Sequence, residues 1–171
     1  MKMNNIVLIG MPGVGKSTVG VILAKVLGFR FIDADLLIQE EYDRLLCEII
    51  EQDGVDAFIQ IENQVNSSIQ AEKSVIATGG SVVYGKEAME HLKSIGTVVY
   101  LKLDYEPLSN RLKNIENRGV VIRNGSSLHD LFVERTPLYE KYADIIIDTD
   151  DCDIEGTVHK IAAAIQQERN G

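Results

Sequence analysis

One nine-residue stretch constrains this chain more than any other: Gly10-Met11-Pro12-Gly13-Val14-Gly15-Lys16-Ser17-Thr18. It fits G-x-x-x-x-G-K-[ST], the pattern of a phosphate-binding P-loop. The flanks fit as well. Ile6 to Ile9 is a short apolar run, as expected of a buried parallel strand, here over Asn5 to Ile9. After the loop, Val19, Ile22, Leu23, Val26 and Leu27 recur at helical spacing, with Gly28 placed to cap the helix C-terminus. In such a strand–loop–helix unit the glycines let backbone N–H groups turn toward phosphate oxygens, and the helix N-terminus adds its positive end. Gly13, Val14, Gly15, Lys16, Ser17 and Thr18 are therefore candidate phosphate-binding residues. Lys16 is expected to reach the β- and γ-phosphates, and the Ser17 hydroxyl to ligate Mg²⁺.

The rest of the chain alternates strand and helix signals. Phe29 to Ile32 reads as a second strand and ends in Asp33-Ala34-Asp35, at the carboxyl end of a strand, where ligands bind in open α/β sheets. Helical patterns follow over Leu36 to Tyr42, around Leu45 to Ile50, and along Phe58, Ile61, Val65 and Ile69, with Gly54 interrupting. Val75-Ile76-Ala77 is a third strand, followed by Thr78-Gly79-Gly80-Ser81. Helix over Lys86 to Ser94, strand over Thr97 to Leu103 and helix over Leu108 to Asn114 come next. From Ile115 to Ser127 the periodicity fails, and Gly, Asn, Ser and two arginines suggest a mobile lid. Helix resumes over Leu128 to Tyr142, where Pro137 should bend or split it. Ile145-Ile146-Ile147 is a fifth strand, and a last helix covers Ile154 to Gln167. Five short strands interleaved with helices imply an α/β fold, a parallel five-stranded sheet covered by helices. No boundary divides residues 1–171, so one domain is expected.

Charge narrows the partners. The formal net charge is −9, which argues against nucleic acid or an anionic membrane surface. No stretch is long and apolar enough to span a bilayer, and the N-terminal apolar run is too short for a signal peptide. Cys47 and Cys152 lack metal-like spacing and read as free thiols in a reducing cytosol. His91, His129 and His159 are isolated and read as surface or helix residues.

Beyond the phosphate loop, three groups of residues carry candidate chemistry. Asp33 and Asp35 bring two carboxylates to the mouth of the phosphate loop. One suits a metal shell and the other an acceptor hydroxyl, although a strand end followed by a helix-capping aspartate has the same look. Gly79-Gly80 allows a ligand to approach the backbone closely, or is a plain turn. Arg111, Arg118, Arg123 and Arg135 lie in or around the irregular segment. Arginines there either close over phosphates or lie on a solvated face.

On these residues the chain resembles the shikimate kinases, small P-loop kinases of the nucleoside-monophosphate-kinase structural type. The resemblance spans nearly the whole chain. It rests on the P-loop, Phe31-Ile32-Asp33-Ala34-Asp35, Phe58 with Glu62, Gly79-Gly80, the arginines of the lid, and Glu134-Arg135-Thr136-Pro137-Leu138-Tyr139. It implies transfer of the ATP γ-phosphoryl group to the 3-hydroxyl of shikimate. ATP and Mg²⁺ are the implied cofactors. Asp33 would sit in the metal shell. Asp35 would bind substrate hydroxyls and act as base. Gly79 and Gly80 would line the acceptor site, Arg111 would lie against adenine, Arg118 would meet the transferring phosphate, and Arg135 would hold the shikimate carboxylate. The acceptor-binding region falls at about 34–72 and the lid at about 115–127. A cytoplasmic monomer acting on a small molecule is expected.

Three departures matter. The family pattern F-R-x-x-E reads Phe58-Ile59-Gln60-Ile61-Glu62 here, so the second arm of the carboxylate clamp is absent. Ile59 is expected beside Glu62 and Asn66, off the apolar stripe, lining a pocket or exposed. The usual third glycine is Ser81, and the lid's usual Arg-Pro is Arg118-Gly119. Losing a charge-assisted bond to a carboxylate costs about 1.5–3 kcal/mol. The missing arm therefore leaves another small alcohol open as the acceptor. A nucleotide-binding regulator without kinase activity is the third reading; intact Lys16, Ser17, Asp33 and Asp35 argue against it.

Overall fold

The computed structural model describes residues 4–113 and 125–171. Five strands form one parallel sheet in the order β2-β3-β1-β4-β5. They are β1 (Asn5–Ile9), β2 (Arg30–Asp33), β3 (Ser74–Ala77), β4 (Gly96–Lys102) and β5 (Ile145–Asp148). The helices are α1 (Lys16–Leu27), α2 (Ala34–Tyr42), α3 (Leu46–Asp53), α4 (Val55–Ser67), α5 (Lys86–Ile95), α6 (Tyr105–Leu112), α7 (Leu128–Tyr142) and α8 (Ile154–Asn170), with one 3₁₀ turn at Val82–Tyr84. The sequence-based element order holds throughout, with ends displaced by a few residues.

The central strand β1 is buried along its whole length, as a strand covered on both faces must be. Its one polar side chain, Asn5, is satisfied three times. Nδ2 donates to the carbonyls of Ala71 (2.6 Å) and Ile95 (2.9 Å), and Oδ1 accepts from the Ser74 amide (3.0 Å). Register then fixes the working edge. Leu8 pairs with Ala77, and Ala77 with Asp33, so β1, β3 and β2 end level with one another. The loops after these strands carry the phosphate loop, Thr78 to Ser81, and Asp33 to Asp35.

The apolar stripe of α1 is turned from the expected one. Val19, Gly20, Leu23 and Ala24 are buried, whereas Ile22 is 39 % and Val26 64 % exposed. The reason is close packing: Gly20 lies against the Phe31 ring, and small residues let the helix approach the sheet. In α4 the expected face also rotates. Phe58 and Val65 are buried as expected, but Glu62 and Asn66 share their face and Ile61 is only half-buried. Helix α7 is not split by Pro137. It runs unbroken because Leu131, Arg135 and Tyr139, four residues apart, are all buried on one face. The carbonyl that loses its partner belongs to Val133, 57 % exposed, where water can replace it. A reciprocal Ser127–Asp130 cap starts this helix.

Two apolar clusters result. The larger surrounds the sheet. The smaller joins Ile38, Ile49, Phe58 and Val65 of α2, α3 and α4. Ile59 is half-buried and packs against this second cluster, so it neither lines the central cavity nor lies fully exposed. Cys47 and Cys152 are free thiols. The lid expectation falls mostly on residues outside the described ones, and with it Arg118, Gly119 and Arg123.

Candidate active site

The phosphate loop turns back on itself before α1. Gly15, at the N-cap, has φ +99°, a region closed to most side chains, and no side chain caps the helix. The first amides of α1 are therefore presented to the cleft without a side-chain acceptor, whereas Asp33, Ser127 and Asp153 cap α2, α7 and α8. Lys16 is buried and donates from Nζ to the carbonyls of Gly10 (2.7 Å) and Met11 (2.8 Å). Burial lowers its pKa to about 8, against the opposing pull of Asp35.

Asp33 serves two ends. Its Oδ1 caps α2, accepting from the amides of Asp35 (3.0 Å) and Leu36 (3.4 Å). Its Oδ2 accepts from Ser17 Oγ at 3.1 Å. The capping reading of this aspartate holds, and its second oxygen lies beside Ser17 at the phosphate loop. Asp35 is not in an extended segment; it lies in the first turn of α2. Half-buried there, it has a pKa raised to about 6, by burial first and by the Asp33 charge second.

Glu62 is the residue that sequence reasoning left without a role. It is 1 % exposed and accepts a 2.5 Å hydrogen bond at Oε1 from Ser81 Oγ. Burial pushes its carboxyl up to about 8. The available signal was a carboxylate at helical spacing between Phe58 and Val65 on the face that packs inward. Gly79 separates the two acids. A Cβ there would lie 2.5 Å from Glu62 Oε2 and 2.8 Å from Asp35 Oδ1, so only glycine leaves both carboxyls in place.

Opposite them, Arg135 enters from α7, 1 % exposed. Its Nε donates to Tyr84 Oη (3.3 Å), and its guanidinium lies over the Tyr84 ring, 5.4 Å from the centroid. Tyr139 Oη donates to the carbonyl of Gly80 at 2.5 Å and stacks on Tyr100, tying α7 to the glycine turn. No role was foreseen for Tyr84 or Tyr139; their positions relative to Arg135 depend on the 3₁₀ turn and on the unbroken α7.

A cavity of ≈ 530 Å³ is lined by Pro12, Gly13, Gly15 to Thr18, Asp35, Thr78 to Gly80, Arg111 and Leu112. A second cavity of ≈ 440 Å³ adjoins it, sharing Gly15, Thr18 and Arg111 and continuing to Thr149 and Cys152 to Glu155 beyond β5. That continuation had no sequence signal. Among the described residues no group of three or more His, Cys, Asp or Glu side chains could by itself hold a metal ion. The structure thus gathers the P-loop residues, Asp33, Asp35, Gly79, Gly80, Arg111 and Arg135 along one edge.

A phosphate loop at the carboxyl edge of a 2-3-1-4-5 parallel sheet, facing buried carboxylates and an arginine, defines a P-loop kinase. The family model for shikimate kinase matches residues 12–166. A shikimate kinase of Thermodesulfovibrio yellowstonii is 38% identical over 99% of both chains. Among solved structures, the shikimate kinase of Acinetobacter baumannii in complex with shikimate superposes with a TM-score of 0.82 at 32% identity, covering 97% of this chain and 94% of that one. That of Aquifex aeolicus gives 0.81 at 32% identity, covering 96% and 98%. The chain belongs to the shikimate kinase family and is an ATP-dependent kinase.

Proposed function

We propose that this protein transfers the γ-phosphoryl group of ATP to the 3-hydroxyl of shikimate, as a cytoplasmic monomer with all parts in one domain, residues 1–171. The observation that carries the reading is the convergence of Asp35, Glu62 and Arg135 on the Gly79-Gly80 turn, which lines the same cavity as Lys16. It sets a carboxylate for a hydroxyl on the cavity wall and a buried guanidinium for a carboxylate against the glycine turn. The family relatives and the shikimate-bound neighbour support the same acceptor.

The chemistry follows from the placements. The α1 amides and Lys16 hold the β- and γ-phosphates, Lys16 exchanging its loop carbonyls for phosphate oxygens. Asp33 Oδ2 and Ser17 Oγ, already 3.1 Å apart, would hold a Mg²⁺ ion. Bound there, it would supply positive charge that offsets the charge of the phosphates. Arg135, held by its tyrosines, orients the shikimate carboxylate. Asp35 accepts the proton of the attacking hydroxyl as its oxygen bonds to the γ-phosphorus and the β–γ bridging bond breaks, releasing ADP. Arg111 flanks the base-side cavity, and Arg118, outside the described residues, is assigned to the transferring phosphate. Residues about 34–72 form the acceptor-binding region.

The test is ADP release with ATP, Mg²⁺ and a panel of hydroxylated acids and neutral sugars, with ³¹P NMR to locate the new ester. Turnover on shikimate with phosphate at the 3-position is expected. Faster turnover on a neutral alcohol would overturn the assignment of the acceptor.

A further inference from the structure

Position 59 has no cation to offer Glu62; Arg135 faces it from α7, but its Nε donates to Tyr84 Oη. Ile59, one helical turn before Glu62, packs into the smaller apolar cluster. Arg44, the arginine of the α2–α3 junction, is bound to Asp53 at 2.7 Å. Glu62 nevertheless has a short, buried partner. Ser81, itself 3 % exposed, donates to Oε1 and leaves Oε2 against Gly79. Asp35 Oδ1 lies on that same glycine, so the two carboxyl oxygens are within about 5.3 Å of each other, the sum of their distances to one Cβ position. An unanchored glutamate at this place could rotate its carboxyl away from the acceptor; a carboxyl fixed at Oε1 cannot.

We propose that Ser81 is a positioning residue for the acceptor site: its hydroxyl fixes the Glu62 carboxyl in the role left open at position 59, so that Glu62 Oε2 and Asp35 Oδ1 face the acceptor together. The two departures, Ile59 and Ser81, are then one coupled exchange, a buried ion pair replaced by a buried neutral donor. The proposal rests on the shikimate reading only for the identity of the acceptor. The groups facing Glu62 are Ser81 from the turn after β3, Asp35 from α2, Lys16 from α1 and Arg135 from α7. Of these, the Ser81 bond favours the ionised carboxyl, so losing it raises the Glu62 pKa; a new arginine at 59 lowers it.

The experiment compares the parent protein with Ser81→Gly, Ile59→Arg and the pair together. Glycine is the family's usual residue at 81, so the pair restores the family pattern. The first readout is the ¹³C titration of the Glu62 carboxyl in the protein without substrate. The second is the steady-state kinetics of shikimate and ATP. Ser81→Gly should move the Glu62 midpoint to higher pH and raise the shikimate KM about 10-fold, with kcat and the ATP KM within about 2-fold. Ile59→Arg should recover most of that loss in the presence of Ser81→Gly, and gain markedly less without it. An unmoved Glu62 midpoint in folded Ser81→Gly overturns the proposal. So does an Ile59→Arg effect of equal size with and without Ser81→Gly. If the parent protein does not phosphorylate shikimate, the acceptor reading fails, and the substrate-free titration still decides the role of Ser81.

Discussion

Around the phosphate loop the chain presents backbone: uncapped α1 amides, left-handed glycines, and a lysine that binds carbonyls of its own loop. Across the cleft it presents side chains, each from a different element: Asp35 from α2, Glu62 from α4, Ser81 from the turn after β3, Arg135 from α7. The first half is contiguous in sequence and anchored in the main core. The second is assembled over a hundred residues and leans partly on the small cluster of α2 to α4. A backbone site depends on conformations that few residues allow, so it changes little without failing. A side-chain site can lose one partner and gain another, as Ile59 and Ser81 illustrate.

The largest effect should come from removing the one side chain on which the backbone half depends. Lys16→Ala is expected to lower kcat by at least about 10²–10³-fold while shikimate binding, measured by calorimetry, is retained. A folded variant with near-normal turnover would remove the loop from the mechanism. The acceptor half should respond in the other constant. Arg135→Lys keeps the charge but not the planar fork, and should raise the shikimate KM by about 10- to 150-fold with the ATP KM nearly unchanged. Equal losses for both substrates would erase the distinction between the halves.

Asp33 stands where the halves meet, and Asp33→Asn separates its two duties. Asparagine caps a helix as well as aspartate, so the melting temperature should hold. The Mg²⁺ concentration giving half-maximal rate should rise by about 10-fold. An unchanged metal requirement would leave Asp33 as a cap alone. The smallest effect is on stability. The Glu62 carboxyl titrates near 4.5 when unfolded and about 8 when folded. Between those values the folded state holds the extra proton, so stability should fall as pH rises across that window. Glu62→Gln should flatten this part of the melting-temperature profile; an identical slope in both proteins would show that Glu62 is not the group responsible.

What could be read from the sequence follows the same division. The P-loop, the element order and Asp33 were legible because their signals are local: a spacing, an apolar run, a pair of acids at a strand end. Arg135 and Gly79-Gly80 were visible from their residue types, beside a solvated face or a plain turn; only the family resemblance implied what they would bind. Glu62 was visible as a residue but not as a participant, because its burial depends on how α4 rotates against its neighbours. The orientation of α1 was misjudged for a related reason: Ile22 and Val26 fit the helical period, but Gly20 and Ala24 decide which face can reach the sheet. Pro137 carried a strong local signal that packing of Arg135 and Tyr139 overrode.

Two cations of this cleft, Lys16 and Arg135, are hidden from bulk water, and that bears on how ligands arrive. Lys16 is 7 % and Arg135 1 % exposed, while the chain as a whole carries a formal charge of −9. At a distance, an approaching anion meets the acidic exterior rather than the ammonium and guanidinium that will hold it. Diffusional encounter is therefore opposed by the far field and favoured only within the last few ångströms. Salt within the Debye range weakens that long-range repulsion more than the buried contacts, so added inert electrolyte should quicken association with shikimate or nucleotide, the reverse of the usual behaviour where a basic surface collects anions.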